Sequence, residues 1–230
     1  MEGIEHLDVA GRAIAYRLRA GNVPAVLSLP GYASDMEGAK ALALDAFAAE
    51  RGHSMIRFDY SGTGSSPGKF EEGTLALWLE EALAALDQLT NGEVIVVGSS
   101  MGGWIGLHLA LLRPERVRAL IGIAAAPDFT NWGFADGDAA VATGIARGFW
   151  ESGQQLLLLD HPIAIDCPVR LLHGELDGDV PLEIAFRLFR SLRSSDVQLN
   201  VLKGGGHRLS EPKEIRAILD TVTALLEPTP

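Results

Sequence analysis

The chain alternates short apolar runs with longer stretches of helical periodicity, and this alternation limits its fold more strongly than any other feature. The apolar runs lie at residues 25–29, 55–58, 94–97, 117–123, 169–172 and 197–202. Runs of this kind are typical of strands that are buried on both faces. Because helical stretches separate most of them, we expect an α/β fold with a mostly parallel sheet and helices on both faces.

The N-terminal residues add two further predicted strands. Residues 5–9 and 13–19 alternate apolar and polar side chains, and Ala10 and Gly11 between them favour a tight turn. This pattern predicts an antiparallel hairpin at an edge of the sheet, which brings the predicted number of strands to eight. A length of 230 residues suits one α/β domain, so residues 1–230 are assigned to a single domain.

Residues 127–168 interrupt the alternation because they contain no obvious core strand. Aromatic residues stand there among glycines and acidic residues: Phe129, Trp132, Phe134, Phe149 and Trp150. A connection of this length in a compact domain is usually functional, so residues 127–165 are predicted to form a small lid or cap insertion. An extra surface helix held down by its aromatic residues is the alternative. Trp132 and Phe134 are the predicted substrate-binding residues of the insertion.

A serine flanked by glycines directly follows one of the predicted strands. In Gly98-Ser99-Ser100-Met101-Gly102, the preceding run predicts a strand and residues 104–112 predict a helix. This is the setting of a nucleophile elbow, a sharp turn that exposes the serine and requires small side chains two residues away on either side. Ser100 is therefore the predicted nucleophile. The alternative is a serine that caps the helix and has no chemical role.

A second segment, Gly64-Ser65-Ser66-Pro67-Gly68, has the same five-residue pattern. No helical stretch follows it, and turn-forming residues crowd its surroundings. Ser66 therefore has the pattern of a nucleophile without the structural setting that the chemistry needs, and it is not expected to react.

A serine nucleophile needs a base that removes its proton, and chain order identifies a histidine for this role. In active sites built on this elbow the order is serine, then an acid, then histidine. Only His173 and His207 follow both Ser100 and the long insertion. His207 comes after the last predicted strand in a glycine-rich loop, so it is the predicted base, and His173 is the alternative.

The acid is expected in the loop that follows the strand at residues 169–172. This loop offers Glu175, Asp177 and Asp179. Asp179 directly precedes Val180-Pro181, where it is expected to cap the next helix, so Asp177 is the predicted orienting acid. Asp128, which follows an earlier strand, is a more distant alternative.

Two backbone N–H groups supply the predicted oxyanion hole. Acyl transfer develops negative charge on the substrate oxygen, and preorganised donors stabilise that charge. One donor is the N–H of Met101, the residue after the nucleophile, and the other is the N–H of Tyr32 in the loop after the third strand. A simple tight turn at Pro30-Gly31 is the alternative.

Composition and charge argue against several classes of partner and site. A formal net charge of −11 disfavours nucleic acid and anionic membrane surfaces, and no apolar run is long enough to span a membrane. The lone cysteine, Cys167, excludes an internal disulfide, and no ligand spacing predicts a metal site. No cofactor is implied. The first twenty residues resemble neither a secretory signal nor a transit peptide, so a cytoplasmic location is expected.

These residues resemble the α/β-hydrolase superfamily, and the resemblance covers most of residues 20–225. Ser100, Asp177 and His207 match its catalytic triad. The similarity extends to residues 29–32, 56–62, 98–104 and 167–174. Within the superfamily, these segments look like a branch whose members act as palmitoyl-protein thioesterases and acyl-glucuronide esterases. The resemblance implies an α/β-hydrolase fold and hydrolysis through an acyl-enzyme.

The sequence thus predicts a serine hydrolase that cleaves acyl thioesters or activated esters of a small-molecule or acylated-protein substrate. A carboxylesterase for small or acyl-glucuronide esters is the first alternative, because both reactions pass through a similar tetrahedral intermediate. A ligand-binding module that kept the fold and lost turnover is the second alternative. The complete order of serine, acid and histidine argues against that module. No oligomeric state is predicted.

Overall fold

An eight-stranded sheet forms the centre of the molecule in this computed structural model, which describes residues 3–227. The strands are β1 (Glu5–Val9), β2 (Arg12–Arg19), β3 (Asn22–Leu29), β4 (His53–Phe58), β5 (Val94–Ser99), β6 (Val117–Ile123), β7 (Val169–Gly174) and β8 (Val197–Leu202). Their order across the sheet is β1-β2-β4-β3-β5-β6-β7-β8. The β1–β2 and β2–β4 pairs are antiparallel and the remaining pairs are parallel. The predicted α/β sheet and its N-terminal edge hairpin are confirmed.

Helices cover both faces of this sheet, as the alternation predicts. One face carries α1 (Ala39–Arg51) and α8 (Pro212–Leu226), whose buried side chains share one apolar cluster. The other face carries α2 (Leu75–Leu89), α3 (Met101–Leu112) and α7 (Leu182–Ser191). The core therefore consists of two apolar layers, one on each face of the sheet. The loops that follow the carboxyl ends of the parallel strands lie at one edge of the sheet, where sites of such folds form.

Local signals fix the start of α8, the helix that follows the loop carrying His207. Glu211 and Glu214 form a capping box, in which each side chain accepts a hydrogen bond from the other residue's backbone N–H. Pro212 occupies the first turn, where its missing N–H costs no helical hydrogen bond. These contacts determine where the His207 loop ends.

Residues 127–165 fold into three short helices, α4 (Phe129–Trp132), α5 (Gly137–Ala142) and α6 (Arg147–Gln154). The buried carboxylate of Asp128 accepts hydrogen bonds from the N–H groups of Leu158 and Leu159, at 2.9 and 2.7 Å. Leu156 O accepts from Trp104 Nε1 at 3.1 Å and lies 3.0 Å from His108 Nε2. Leu156 thus fastens the segment to α3, and Asp128 joins the beginning of the segment to residues near its end. Within residues 3–227, no helix has the length and apolar character needed to cross a membrane.

Candidate active site

The turn between β5 and α3 has the geometry of a nucleophile elbow. Ser100 has φ 53° and ψ −118°, and α3 begins at the next residue. Its N–H donates to Ile123 O at 2.9 Å, and its carbonyl accepts from Gly103 N at 2.9 Å and Ala126 N at 3.1 Å. A positive φ at a serine is strained, and these neighbouring strand and helix bonds hold it in place.

Glycines two residues before and after Ser100 allow this turn to form. A Cβ atom on Gly98 would lie 2.2 Å from Gly102 O, and one on Gly102 would lie 2.2 Å from Leu29 O. Both contacts are with backbone atoms, which cannot rotate away as a flexible side chain can. The requirement for small residues therefore follows from two close approaches, that of Gly98 to the start of α3 and that of Gly102 to the end of β3.

Replacing Gly102 with alanine is expected to destabilise the protein by about 1–3 kcal/mol and to lower hydrolysis strongly, because the end of β3 must move away from Ser100. Urea unfolding and initial rates measure the two effects. Gly178→Ala is the matched control, since an added Cβ there has no heavy atom within 4 Å. Equal stability and activity in the two variants would contradict this account of the elbow.

The structure brings Ser100, His207 and Asp177 together. Ser100 Oγ lies 3.2 Å from His207 Nε2, and His207 Nδ1 lies 2.9 Å from Asp177 Oδ2. With a proton on Nδ1, that nitrogen donates to the carboxylate and Nε2 can accept the serine hydroxyl. The side chain of His207 is 21% exposed and that of Asp177 is 1% exposed. The His207 imidazole is therefore partly open to the cavity, while the Asp177 carboxylate is shielded behind it.

Hydrogen bonds keep Asp177 ionised in its buried position. Burial by itself raises the pKa of the carboxyl, but the hydrogen bond from His207 and those from the N–H groups of Val180 and Asp179 lower it below the ordinary value overall. Both N–H groups donate to Asp177 Oδ1 at 2.9 Å. Each carboxylate oxygen thus has its own partners, which fix the direction in which Oδ2 faces His207.

Because the folded state lowers the pKa of Asp177, its ionisation stabilises the protein above the unfolded value of 3.8, and this contribution disappears as pH falls through the lower folded value. Asp177→Asn has no such ionisation. The free energy of unfolding should therefore differ most between wild type and this variant near neutral pH, and the difference should shrink below about pH 4. Urea titrations across this range measure it, and a constant difference would contradict the lowered pKa.

The alternative triad residues occupy supporting positions. His173 is buried, and its Nε2 lies 2.9 Å from Val180 O and 3.6 Å from Asp177 Oδ2, so it packs beneath the acid loop. Asp179 does not cap α7 as expected. Pro181 is the N-cap of α7, and the N–H of Asp179, two residues earlier, donates to Asp177 Oδ1. Asp128 is used to fasten residues 158–159.

Ser66, the serine of the second Gly-x-Ser-x-Gly pattern, is buried and has both hydrogen-bonding roles filled. Its Oγ accepts from Ala15 N–H at 2.7 Å and donates to Asp59 O at 2.7 Å. This hydroxyl joins β2 to the loop after β4. It has a structural role, so the pattern arises here for a different physical reason than at Ser100.

The loop after β3 lies directly against the elbow. A Cβ atom on Gly31 would lie 3.2 Å from Ser99 O and 3.3 Å from Ser100 Cβ, so a larger residue would push the loop and the elbow slightly apart. Among residues 3–227, the N–H groups of Tyr32 and Met101 donate to no other protein group. The Tyr32 ring packs edge to face on Phe70 and Phe149, with centroids 4.9 Å apart in both pairs. Burial raises the pKa of the Tyr32 hydroxyl.

A cavity of about 440 Å³ opens beside Ser100. Its wall comes from the end of β3, the following loop, the start of α1 and the loop that carries His207. Trp132 and Phe134 do not line it. Trp132 Nε1 instead donates to Pro127 O at 2.7 Å, and the Phe134 ring packs 6.5 Å from the Phe129 ring. The structure thus places both residues away from the cavity for which they were predicted.

Sequence reasoning missed Lys40 and Arg208, which both line this cavity. The signal for Lys40 is its place in the first turn of the helix after β3, since helices after parallel strands begin at the edge where sites form. Arg208 follows the predicted base directly.

Asp177, Asp179 and His207 are the one set of three potential metal ligands among the described residues, with ligand atoms within 4.8 Å. Two of them already bond to each other.

Comparisons with known proteins find relatives that share the fold of this chain. Residues 24–142 match the family model described as alpha/beta hydrolase fold. The chain is 37% identical to human mitochondrial palmitoyl-protein thioesterase ABHD10 over 93% of its own length and 76% of that protein. It matches the structure of mouse alpha/beta hydrolase domain-containing protein 10 with a TM-score of 0.91 and 35% identity, covering 97% of this chain and 98% of the other.

A hydrolase from Agrobacterium vitis S4 matches with a TM-score of 0.89 and 37% identity, over 98% of this chain and all of that one. The expected cytoplasmic location is wrong by this comparison, because the names of the human and mouse relatives place them in mitochondria. Absence of a recognisable targeting pattern was a weak basis for that expectation. The fold, the elbow and these relatives show that the chain is a hydrolase of the α/β-hydrolase family, related to ABHD10.

Proposed function

We propose that this protein is a serine hydrolase that cleaves acyl thioesters through an acyl-enzyme, with Ser100, His207 and Asp177 as its catalytic triad. The observation that carries the proposal is the continuous chain of contacts from Ser100 Oγ through His207 to Asp177, at 3.2 and 2.9 Å. This chain starts at a serine held with positive φ at the end of a strand. Such an arrangement matches the geometric requirements for an activated nucleophile.

In the acylation step, Ser100 Oγ attacks the carbonyl carbon of the substrate while its proton passes to His207 Nε2. The carbonyl π electrons move to oxygen, and the N–H groups of Met101 and Tyr32 stabilise the oxyanion. Asp177 keeps the imidazole oriented and stabilises its positive charge. The tetrahedral intermediate then collapses, the bond to the leaving sulfur breaks, and His207 returns the proton to the departing thiolate.

In the deacylation step, a water molecule takes the place of the leaving thiol, and the acylation steps run in reverse order. His207 Nε2 accepts a proton from water as the water oxygen attacks the acyl carbon. The second oxyanion occupies the same pair of N–H donors. When it collapses, the bond to Ser100 Oγ breaks, His207 protonates the serine, and the carboxylic acid leaves.

The preference for thioesters is supported by the name of the human relative, a palmitoyl-protein thioesterase. The lining of the cavity includes the buried apolar residues Leu29, Leu44 and Ile123 beside its polar ones. Residues 127–165 are proposed to act as a cap that supports the oxyanion loop, because Phe149 packs on Tyr32. The single-domain assignment of residues 1–230 belongs to the same proposal.

Turnover of matched S-acyl and O-acyl substrates tests the substrate class. Each pair carries the same acyl group, from four to sixteen carbons, on leaving groups of similar size. We expect a higher kcat/KM for the thioester of each pair. A consistent preference for the oxygen ester would favour the carboxylesterase alternative instead. Hydrolysis of neither class by wild type, with Ser100→Ala as the baseline, would overturn the proposed function.

A further inference from the structure

The cavity beside Ser100 carries two cationic side chains although the chain as a whole is acidic. Lys40 and Arg208 both line it, from the first turn of α1 and from the position after His207. Asp35 is the carboxylate that lines the same cavity, and it already accepts a hydrogen bond from Glu37 N–H at 2.9 Å. The first turn of α1 has no acidic residue. Positive charge therefore predominates at this wall.

Neither cation has a carboxylate partner among the described residues. Most lysines and arginines of the chain form ion pairs, such as Arg57 with Glu37 at 3.1 Å. The ion pairs within residues 3–227 include neither Lys40 nor Arg208. Lys40 is half-buried and Arg208 is exposed beside it. A half-buried cation without an opposite charge is costly, and it commonly marks a place where a ligand supplies that charge.

The surroundings of Lys40 make its positive charge less favourable than it is in water. Burial lowers the pKa of the Lys40 ammonium, and the charge of Arg208 lowers it further, while Glu214 has an opposing effect. The Glu214 side chain is committed to the capping box of α8, where it accepts from Glu211 N–H at 2.9 Å. An anion placed between Lys40 and Arg208 would relieve their mutual repulsion.

The wall that carries these cations is held in place before any ligand binds. Lys40 Nζ donates to Arg208 O at 2.5 Å, which joins α1 to the His207 loop. In the loop that leads to α1, Asp59 Oδ1 accepts from Met36 N–H at 2.7 Å, and Arg57 donates to Met36 O at 2.9 Å. The Lys40 ammonium is therefore preorganised, and a preorganised charged group contributes more to binding than one that must first be ordered.

We propose that Lys40 and Arg208 form a cationic subsite of the Ser100 cavity, which selects ester or thioester substrates bearing an anionic group such as a carboxylate. This inference rests on the proposed function, because it assigns specificity to the same reaction. Lys40 offers a compact positive charge and Arg208 a planar set of donors that matches a carboxylate. Both cations lie outside the triad, so they contribute to choosing the substrate and do not take part in bond making.

Arg208→Gln is the cleanest test variant, because Lys40 bonds to the backbone carbonyl of residue 208 and keeps that contact when the side chain changes. Arg216→Gln is the matched control, since it removes the same charge from an exposed position on α8 outside the cavity lining. Lys40→Met is a second variant. It removes the other cation and also the bond that holds the His207 loop.

Two pairs of substrates locate the anionic group. In the first pair, 4-nitrophenyl hemisuccinate is compared with 4-nitrophenyl butanoate, so that the carboxylate lies on the acyl half. In the second pair, the butanoyl thioester of 3-mercaptopropionate is compared with that of its methyl ester, so that the carboxylate lies on the leaving half. The readout is the ratio of kcat/KM for the anionic and neutral members of each pair.

Wild type and Arg216→Gln are expected to favour the anionic member in at least one pair. Arg208→Gln should lower that ratio by about ten- to a hundredfold, mainly through KM, with the neutral substrate little affected. Lys40→Met should lower the ratio and also kcat for both members. Equal use of neutral and anionic substrates by wild type would overturn the subsite, as would an equal loss for both members in Arg208→Gln. No turnover of any substrate by wild type would overturn the proposed function itself.

Discussion

Replacing Ser100 with alanine is expected to lower kcat by about 10⁶-fold, with the fold unchanged. The loss is large because alanine has no atom that can form the acyl-enzyme, while the oxyanion donors and the cavity remain. The backbone at Ser100 is held by hydrogen bonds of its N–H and carbonyl groups, none of which uses the hydroxyl. Steady-state rates measure the effect, and circular dichroism together with urea unfolding verifies that the protein is folded.

Ser66→Ala is the matched control, because Ser66 stands in the same Gly-x-Ser-x-Gly pattern. The substitution leaves the buried Ala15 N–H without its 2.7 Å partner, so we expect a loss of about 1–3 kcal/mol in the free energy of unfolding. Its kcat should stay within a few-fold of wild type. Ser100→Ala should therefore lower kcat and leave stability unchanged, whereas Ser66→Ala should lower stability and leave kcat nearly unchanged. A large loss of kcat in folded Ser66→Ala, with Ser100→Ala active, would reverse the assignment.

Replacing His207 with alanine is also expected to lower kcat by about 10⁶-fold, because the serine proton then has no acceptor. KM should change little, since the cavity wall depends on the backbone of this loop more than on the imidazole. Added imidazole should restore part of the activity, because the His207 side chain is 21% exposed and lines the cavity. Such recovery distinguishes a chemical role of His207 from a structural one.

His108→Gln is the control for this substitution. His108 is buried on α3 with Nε2 3.0 Å from Leu156 O, and burial lowers the pKa of its imidazole. Glutamine keeps a donor that can reach the same carbonyl, so we expect hydrolysis to be retained with a modest loss of stability. If His108→Gln abolished activity and His207→Ala did not, the assignment of the base would be wrong.

The sequence predicted the sheet and the triad contacts because both depend on signals that are local or follow chain order. Apolar runs of four to seven residues predicted the central strands, and the hairpin around Ala10 and Gly11 predicted the edge. The order of serine, acid and histidine selected Ser100, Asp177 and His207, which the structure brings within hydrogen-bond distance. Their catalytic roles stay predictions until the variants are measured.

The cavity wall could not be predicted in the same way because it depends on tertiary packing. Aromatic residues in 127–165 suggested that Trp132 and Phe134 contact the substrate, but aromatic side chains also pack well against one another. In the structure Phe134 packs near Phe129, and α1 supplies the wall instead. Sequence patterns predicted that helices separate the strands. They did not determine which helix start would lie beside the elbow.

Covalent labelling of Ser100 by a fluorophosphonate tests the central claim most directly. Such a probe reacts with a serine only when a base removes the proton and nearby donors accept the developing negative charge. Intact mass measurement of wild type should show one adduct, and peptide mapping should locate it at Ser100. Ser66→Ala should be labelled equally, while Ser100→Ala and His207→Ala should not be labelled. Folded wild type without an adduct, or with the adduct at another serine, would contradict the account.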